Sequence, residues 1–151
     1  MPVIVKGTEG ILSWWDGTAY KPIGCLSDFD IAISRAVVTR ETLCNPGVIE
    51  KRPGNQDTTV NFNGFYANTD AANGGDESVA SFDDLLPIIQ EGLTGDFKIQ
   101  AYEGTTPKDY YVSGFISELN GGWSAADEDA TFSGVIAVDD KVLETDPNEP
   151  T

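Results

Sequence analysis

Histidine is missing from all 151 residues. Without an imidazole to relay the nucleophile's proton, Ser-His-Asp and Cys-His chemistry is excluded. Cysteine is scarce. Cys25 and Cys44 have no CxxC spacing and no histidine to complete a tetrahedral set, so they make a poor zinc site. The pair reads better as two small buried thiols in a reducing compartment than as a disulfide. Cations are few, nine Lys and Arg against 25 Asp and Glu, for a formal charge of −16. That excess repels a polyanion and argues against wrapping DNA by phosphate neutralisation, while leaving DNA free to move past without binding. No apolar run is long enough to span a membrane. The opening MPVIVKGTEG lacks the basic and apolar blocks of a secretory leader, so export by the usual route is not expected. Walker loops, a GxGxxG after a strand and a nucleophile elbow are all missing. The composition therefore predicts a protein that is not an enzyme and needs no cofactor.

What is present is a globular chain. The apolar fraction of 40% and the length suit one domain with a core of its own. Its organising stretch runs from Lys21 to Tyr66. Asp28–Ser34 alternates, with Phe29, Ile31 and Ile33 on one face and Asp28, Asp30, Ala32 and Ser34 on the other. The returning strand puts Val60 and Phe62 against Asn61 and Asn63. Between the two, Pro46, Gly47, Pro53 and Gly54 predict a loop from Cys44 to Asp57 with no regular pairing, and Val48, Ile49, Glu50, Lys51 and Arg52 give it apolar and charged side chains. So long a loop on so long a hairpin is expected to reach another molecule.

The remainder reads in order as strands around one helix. Gly10–Trp15 and Ala19–Leu26 flank the hairpin signal Asp16-Gly17. Trp14 and Trp15, as strand neighbours, point to opposite faces. After an acidic connection at 67–77, Ser81 with Asp84 makes a capping box for a helix from Ser81 to Glu91, kinked or shortened by Pro87 and ended by Gly92 and Gly95. Strands follow at Asp96–Glu103, Tyr110–Leu119 and Thr131–Val138, with a turn at Asn120-Gly121-Gly122. The acidic runs Asp70–Glu77 and Asp127-Glu128-Asp129 lack the EF-hand ligand order and read as solvated loops, so no metal site is assigned. Chance carboxylate pairs are expected among 25 acids, so a glycosidase-type pair is not assigned either. The fold class expected is mainly β, an antiparallel β-sandwich or barrel with one flanking α-helix. Residues 1–138 form the domain and 139–151 a flexible acidic arm.

The order of GTEGILSWWDGTAYKPIGCLSDFDIAIS, ETLCNPG, SFDDLLPIIQEG, YYVSGFISEL and ATFSGVIAV resembles the major tail tube protein family of long-tailed bacteriophages over Gly10–Val138. No single stretch is diagnostic; order and spacing carry the likeness. The tail after Asp139 is too short for the extra C-terminal domain of some relatives. The resemblance implies six-membered rings stacked into a tube, with hairpins of each subunit joining a continuous inner β-barrel that conducts the genome. It implies copies of the chain itself, a tape measure protein and tail-completion proteins as partners. The location implied is the virion tail, after assembly in the host cytoplasm. On that reading Val48–Arg52 make ring-to-ring contacts and the face of Asp28, Asp30, Ser34, Asn61 and Asn63 lines the channel. A carbohydrate-binding sandwich using Trp15, Tyr110, Tyr111 and Trp123, with calcium in the acidic loops, is the alternative. A related ring protein of a tail or injection apparatus is another.

Overall fold

A computed structural model describes residues 3–104, 106–125, 128–139 and 141–148. Seven strands are described: β1 (Ile11–Trp15), β2 (Tyr20–Pro22), β3 (Leu26–Arg40), β4 (Glu50–Phe65), β5 (Thr94–Tyr102), β6 (Lys108–Gly122) and β7 (Thr131–Val138), with helix α1 (Phe82–Glu91) between β4 and β5. They form one antiparallel sheet in the order β2-β1-β5-β6-β7-β4-β3. In that order β1 and β3 lie far apart, yet a side chain at Gly10 would come within 3.2 Å of the Phe29 ring. The sheet therefore folds over, its β1 wing facing its β3 wing, and the expected mainly β architecture with one flanking helix is what forms.

The core lies between the wings. Leu12, Val60, Phe62, Phe97, Val112, Phe132 and Ile136 are buried there, each on an alternate strand position. Helix α1 closes one side by inserting Leu85, with Phe82, Ile88 and Ile89 packed around it. Its start follows the sequence pattern: the Asp84 carboxylate accepts a hydrogen bond from the Ser81 amide at 3.1 Å. Its end falls at Gly92, whose φ of 66° is the left-handed conformation that a side chain would strain.

Several expectations from sequence are corrected. Pro53 and Gly54 do not end the pairing. The β3–β4 ladder continues through Val37–Pro53 to Arg40–Glu50 after a bulge opposite Ala36. A proline is tolerated there because β7 stops at the Thr58–Val138 pair, leaving no ladder on that side of β4 for Pro53 to break. Glu50, Lys51 and Arg52 are thus strand residues, and the loop shrinks to 41–49. Asn120, Gly121 and Gly122 belong to β6, pairing with Ser133, Phe132 and Thr131. A bulge between Ile116 and Glu118 shifts the alternation of β6, so Leu119 packs on the core along with Ile116. Ile31 and Ile33 share the face of Val60 and Phe62 but are exposed, because the edge strand β3 runs beyond the opposing wing. Cys25 and Cys44 are exposed free thiols, not buried ones. Cys25 sits in the turn before β3 with φ 59°, and Cys44 in the hairpin loop.

The described residues after β7 touch the sheet. Leu143 exchanges backbone hydrogen bonds of 2.7 and 2.8 Å with Tyr111, filling the place beside β6 that β7 leaves empty. Asp146 accepts from the Tyr20 hydroxyl at 2.8 Å, and Asn148 donates to Asp96 at 2.9 Å. Pro2, Asp127, Asp140 and residues 149–151 lie outside the described residues.

Candidate functional site: the long ribbon and its polar face

Past the Ile33–Thr58 pair, β3 and β4 pair only with each other among the described strands. They continue as a two-stranded ribbon for seven more β3 residues, about 23 Å of extended chain. The outer edge of β3, fifteen residues long, pairs with no strand among those described.

Antiparallel register decides what shares a face. Asp28 pairs with Asn63, Asp30 with Asn61 and Ser34 with Asp57, so the five residues singled out from sequence do fall on one face of the hairpin. The pairs are bonded across the strands: Asn63 Nδ2 donates to Asp28 at 2.7 Å and Asn61 Nδ2 to Asp30 at 2.9 Å. Asp57 adds a third carboxylate that the sequence reading passed over. Its register with Ser34 was the missing signal, since a strand through Pro53 was not expected. Arg35, the nearest cation along β3, points to the other face, where its guanidinium donates to the Gly54 carbonyl at 2.9 Å and to Gln56 at 3.0 Å. The face is consequently acidic and amide-rich, with the Asp28 and Asp30 carboxylates held in place by the amides of Asn63 and Asn61. On the opposite face Ile31 and Ile33 extend the apolar surface of the core outward.

Val48, Ile49, Glu50, Lys51 and Arg52 cluster at the ribbon's far end. Val48 and Ile49 are in the loop and exposed, whereas Glu50, Lys51 and Arg52 pair with Arg40, Thr39 and Val38. Arg40 and Glu50 form an ion pair at 2.9 Å. Lys51 and Arg52 have no carboxylate within ion-pair reach among the described residues.

The aromatic residues considered as a glycan platform do not meet. Trp15 contacts Tyr20, which in turn contacts Tyr111. Trp123 instead joins Tyr66 and Phe82 at the distant end of β4 and β6. No group of three or more Cys, Asp or Glu side chains is gathered for a metal ion among the described residues. An open groove of about 700 Å³ between the β1 and β3 wings is lined by Ile11, Leu12, Ile23, Leu26 and Phe29, with Asp28 beside them. No described helix is long and apolar enough to cross a membrane.

No protein-family model matches the chain, and no curated protein matches it in sequence. Solved structures do match in fold. A chain from the tail of an empty gene transfer agent particle with C6 symmetry superposes with a TM-score of 0.72 at 14% identity, over 93% of this chain and 98% of that one. A chain of the SPP1 tail tube gives 0.70 at 10% identity, covering 93% of this chain and 78% of that one. A chain of the six-fold symmetrised baseplate of the anti-feeding prophage gives 0.65 at 9% identity, over 95% and 96%. This chain therefore has the fold found in tail-tube, gene-transfer-agent and baseplate assemblies.

Proposed function

We propose that the chain is a structural, non-enzymatic subunit of a virion tail tube, assembling with copies of itself into stacked six-membered rings. Neighbouring ribbons pair edge to edge into one inner β-barrel. The observation that carries this reading is the ribbon: a fifteen-residue edge with no strand partner, beside Ile31 and Ile33 left open along the rim of the core. An open edge of that length invites pairing, and closing it around a ring is the one arrangement that removes it entirely. The C6 symmetry of the gene-transfer-agent tail and the six-fold symmetry of the baseplate support the ring number.

With the ribbons closed in this way, the face of Asp28, Asp30, Ser34, Asn61 and Asn63 lines the channel and the end at Val48–Arg52 reaches the next ring. A carboxylate wall repels phosphates, so a genome slides through it without being gripped. A tape measure protein inside the tube and tail-completion proteins at its end are the further partners, and the virion tail, built in the host cytoplasm, is the location. Negative-stain microscopy of the purified protein at high concentration tests the reading. Stacked rings of six are expected; a protein that stays monomeric at every concentration overturns it.

A further inference from the structure

The two ends of the molecule are chemically opposite. At the ribbon end, residues 35–52 hold four of the nine cations and two of the 25 acids. Apolar side chains lie open among them, Leu43 at 97% and Ile49 at 60% exposure. Lys51 and Arg52 are without an ion-pair partner there, as described above. At the other end, where β4 finishes and β6 turns into β7, residues 66–84 hold five acids and no cation. An aromatic patch sits among those acids. The Tyr66 ring lies 5.5 Å from Phe82 and 5.6 Å from Trp123, and Phe82 meets Trp123 edge-on at 6.3 Å. Trp123 is 68% exposed although it is braced over Gly121, where a side chain would come within 3.1 Å of its ring. The Tyr66 hydroxyl donates to Asp83, which fixes a carboxylate at the rim of the rings.

Three clustered rings with a carboxylate beside them attract a cationic side chain through both the ring quadrupole and the charge. The chain's own ribbon tip cannot reach them, because β4 separates the two by sixteen residues, about 50 Å of strand. We propose that the Tyr66–Phe82–Trp123 patch is the receptor for the cationic ribbon tip of a second copy stacked end to end, with Lys51 and Arg52 seated over the rings and against Asp83. This rests on the tube reading and gives it a direction. A head-to-tail contact between two different surfaces propagates as a stack, whereas a surface that matched itself would stop at a pair.

The test uses three full-length variants, each checked for native ellipticity. Trp123→Ala removes the ring that binds a cation best and is expected to raise the concentration needed for stacking about tenfold. Lys51→Glu with Arg52→Glu makes the tip acidic; Glu77→Lys with Asp83→Lys makes the receptor end basic. Neither swapped chain is expected to stack alone, whereas an equimolar mixture restores end-to-end association, read as linear oligomers by sedimentation and as tubes by microscopy. Unchanged stacking by Trp123→Ala, or a mixture no better than its components, overturns the receptor and leaves the tube standing. Restored linear oligomers without tubes uphold the receptor and overturn the tube. No self-association by any chain, wild type included, overturns both.

Discussion

Some single atoms have little room in this fold. Gly134 of β7 lies directly across from Phe62 of β4, and a methyl added there would come within 2.5 Å of the Phe62 ring. The buried ring fills the space that a side chain on Gly134 would otherwise claim. Gly134→Ala is therefore expected to cost about 1–3 kcal/mol through overpacking, measured as a lower urea midpoint at unchanged slope. The Tyr66 phenol makes a second residue-scale prediction. Its hydrogen bond to Asp83, and secondarily its burial, push its pKa from 10.0 up to about 12. A raised pKa means that the fold favours the protonated phenol. The resulting stability is complete below pH 10 and is lost as pH rises from there through 12. Asp83→Asn is expected to bring the phenolate transition, followed by ultraviolet absorbance, back toward its ordinary value. An unmoved transition counts against the contact.

At the scale of elements, α1 and the ribbon contribute differently. Helix α1 holds the core closed through Leu85, which is completely buried. Leu85→Ala leaves a cavity that the rigid sheet cannot collapse into and is expected to cost about 2–5 kcal/mol, visible as a markedly lower thermal midpoint. The ribbon beyond Thr58 contributes almost nothing to that core, since its partner across the sheet ends with β7 at Val138. Replacing residues 38–52 by Asn-Gly, a pair suited to a two-residue hairpin turn, should leave the thermal transition in place. It should also abolish tube formation under the microscope. A large loss of stability would place the ribbon in the fold's own core and not between molecules.

For the whole molecule, charge is the dominant property. A net −16 makes identical copies repel one another, yet the cations concentrate toward one end. A stack held through those cations is favoured at low ionic strength and weakens as the Debye length shrinks. The polar face of the hairpin gives the matching prediction for the proposed channel. Asp28→Lys with Asp30→Lys should still assemble, because both positions are exposed and their carboxylates are bonded to Asn63 and Asn61 on the same face. Lysines there would hold phosphates, and ejection should slow most in low salt. Ejection at the wild-type rate in every salt would remove this face from the channel wall.

The sequence by itself determined the local elements, because their causes are local. Alternation at 28–34 and 60–63, the Ser81–Asp84 box and Gly92 each act within one or two turns of chain, and the strands and helix formed where those signals lie. It also determined that Asp28, Asp30, Asn61 and Asn63 share a face, since period two leaves no other choice once the two strands pair in register. Tertiary structure decided what depends on neighbours distant in sequence. Pro53 and Gly54 carry the same turn chemistry in any sequence, but they stay in a strand here because one side of β4 is free of a ladder. Ile31 and Ile33 are as apolar as Val60, yet lie open because β3 is the last strand of the sheet. Tyr66, Phe82 and Trp123 come from three separate segments and meet because the ends of β4 and β6 lie beside the start of α1. Proximity of that kind is set by how the sheet folds over its core, and no pattern within a single segment encodes it.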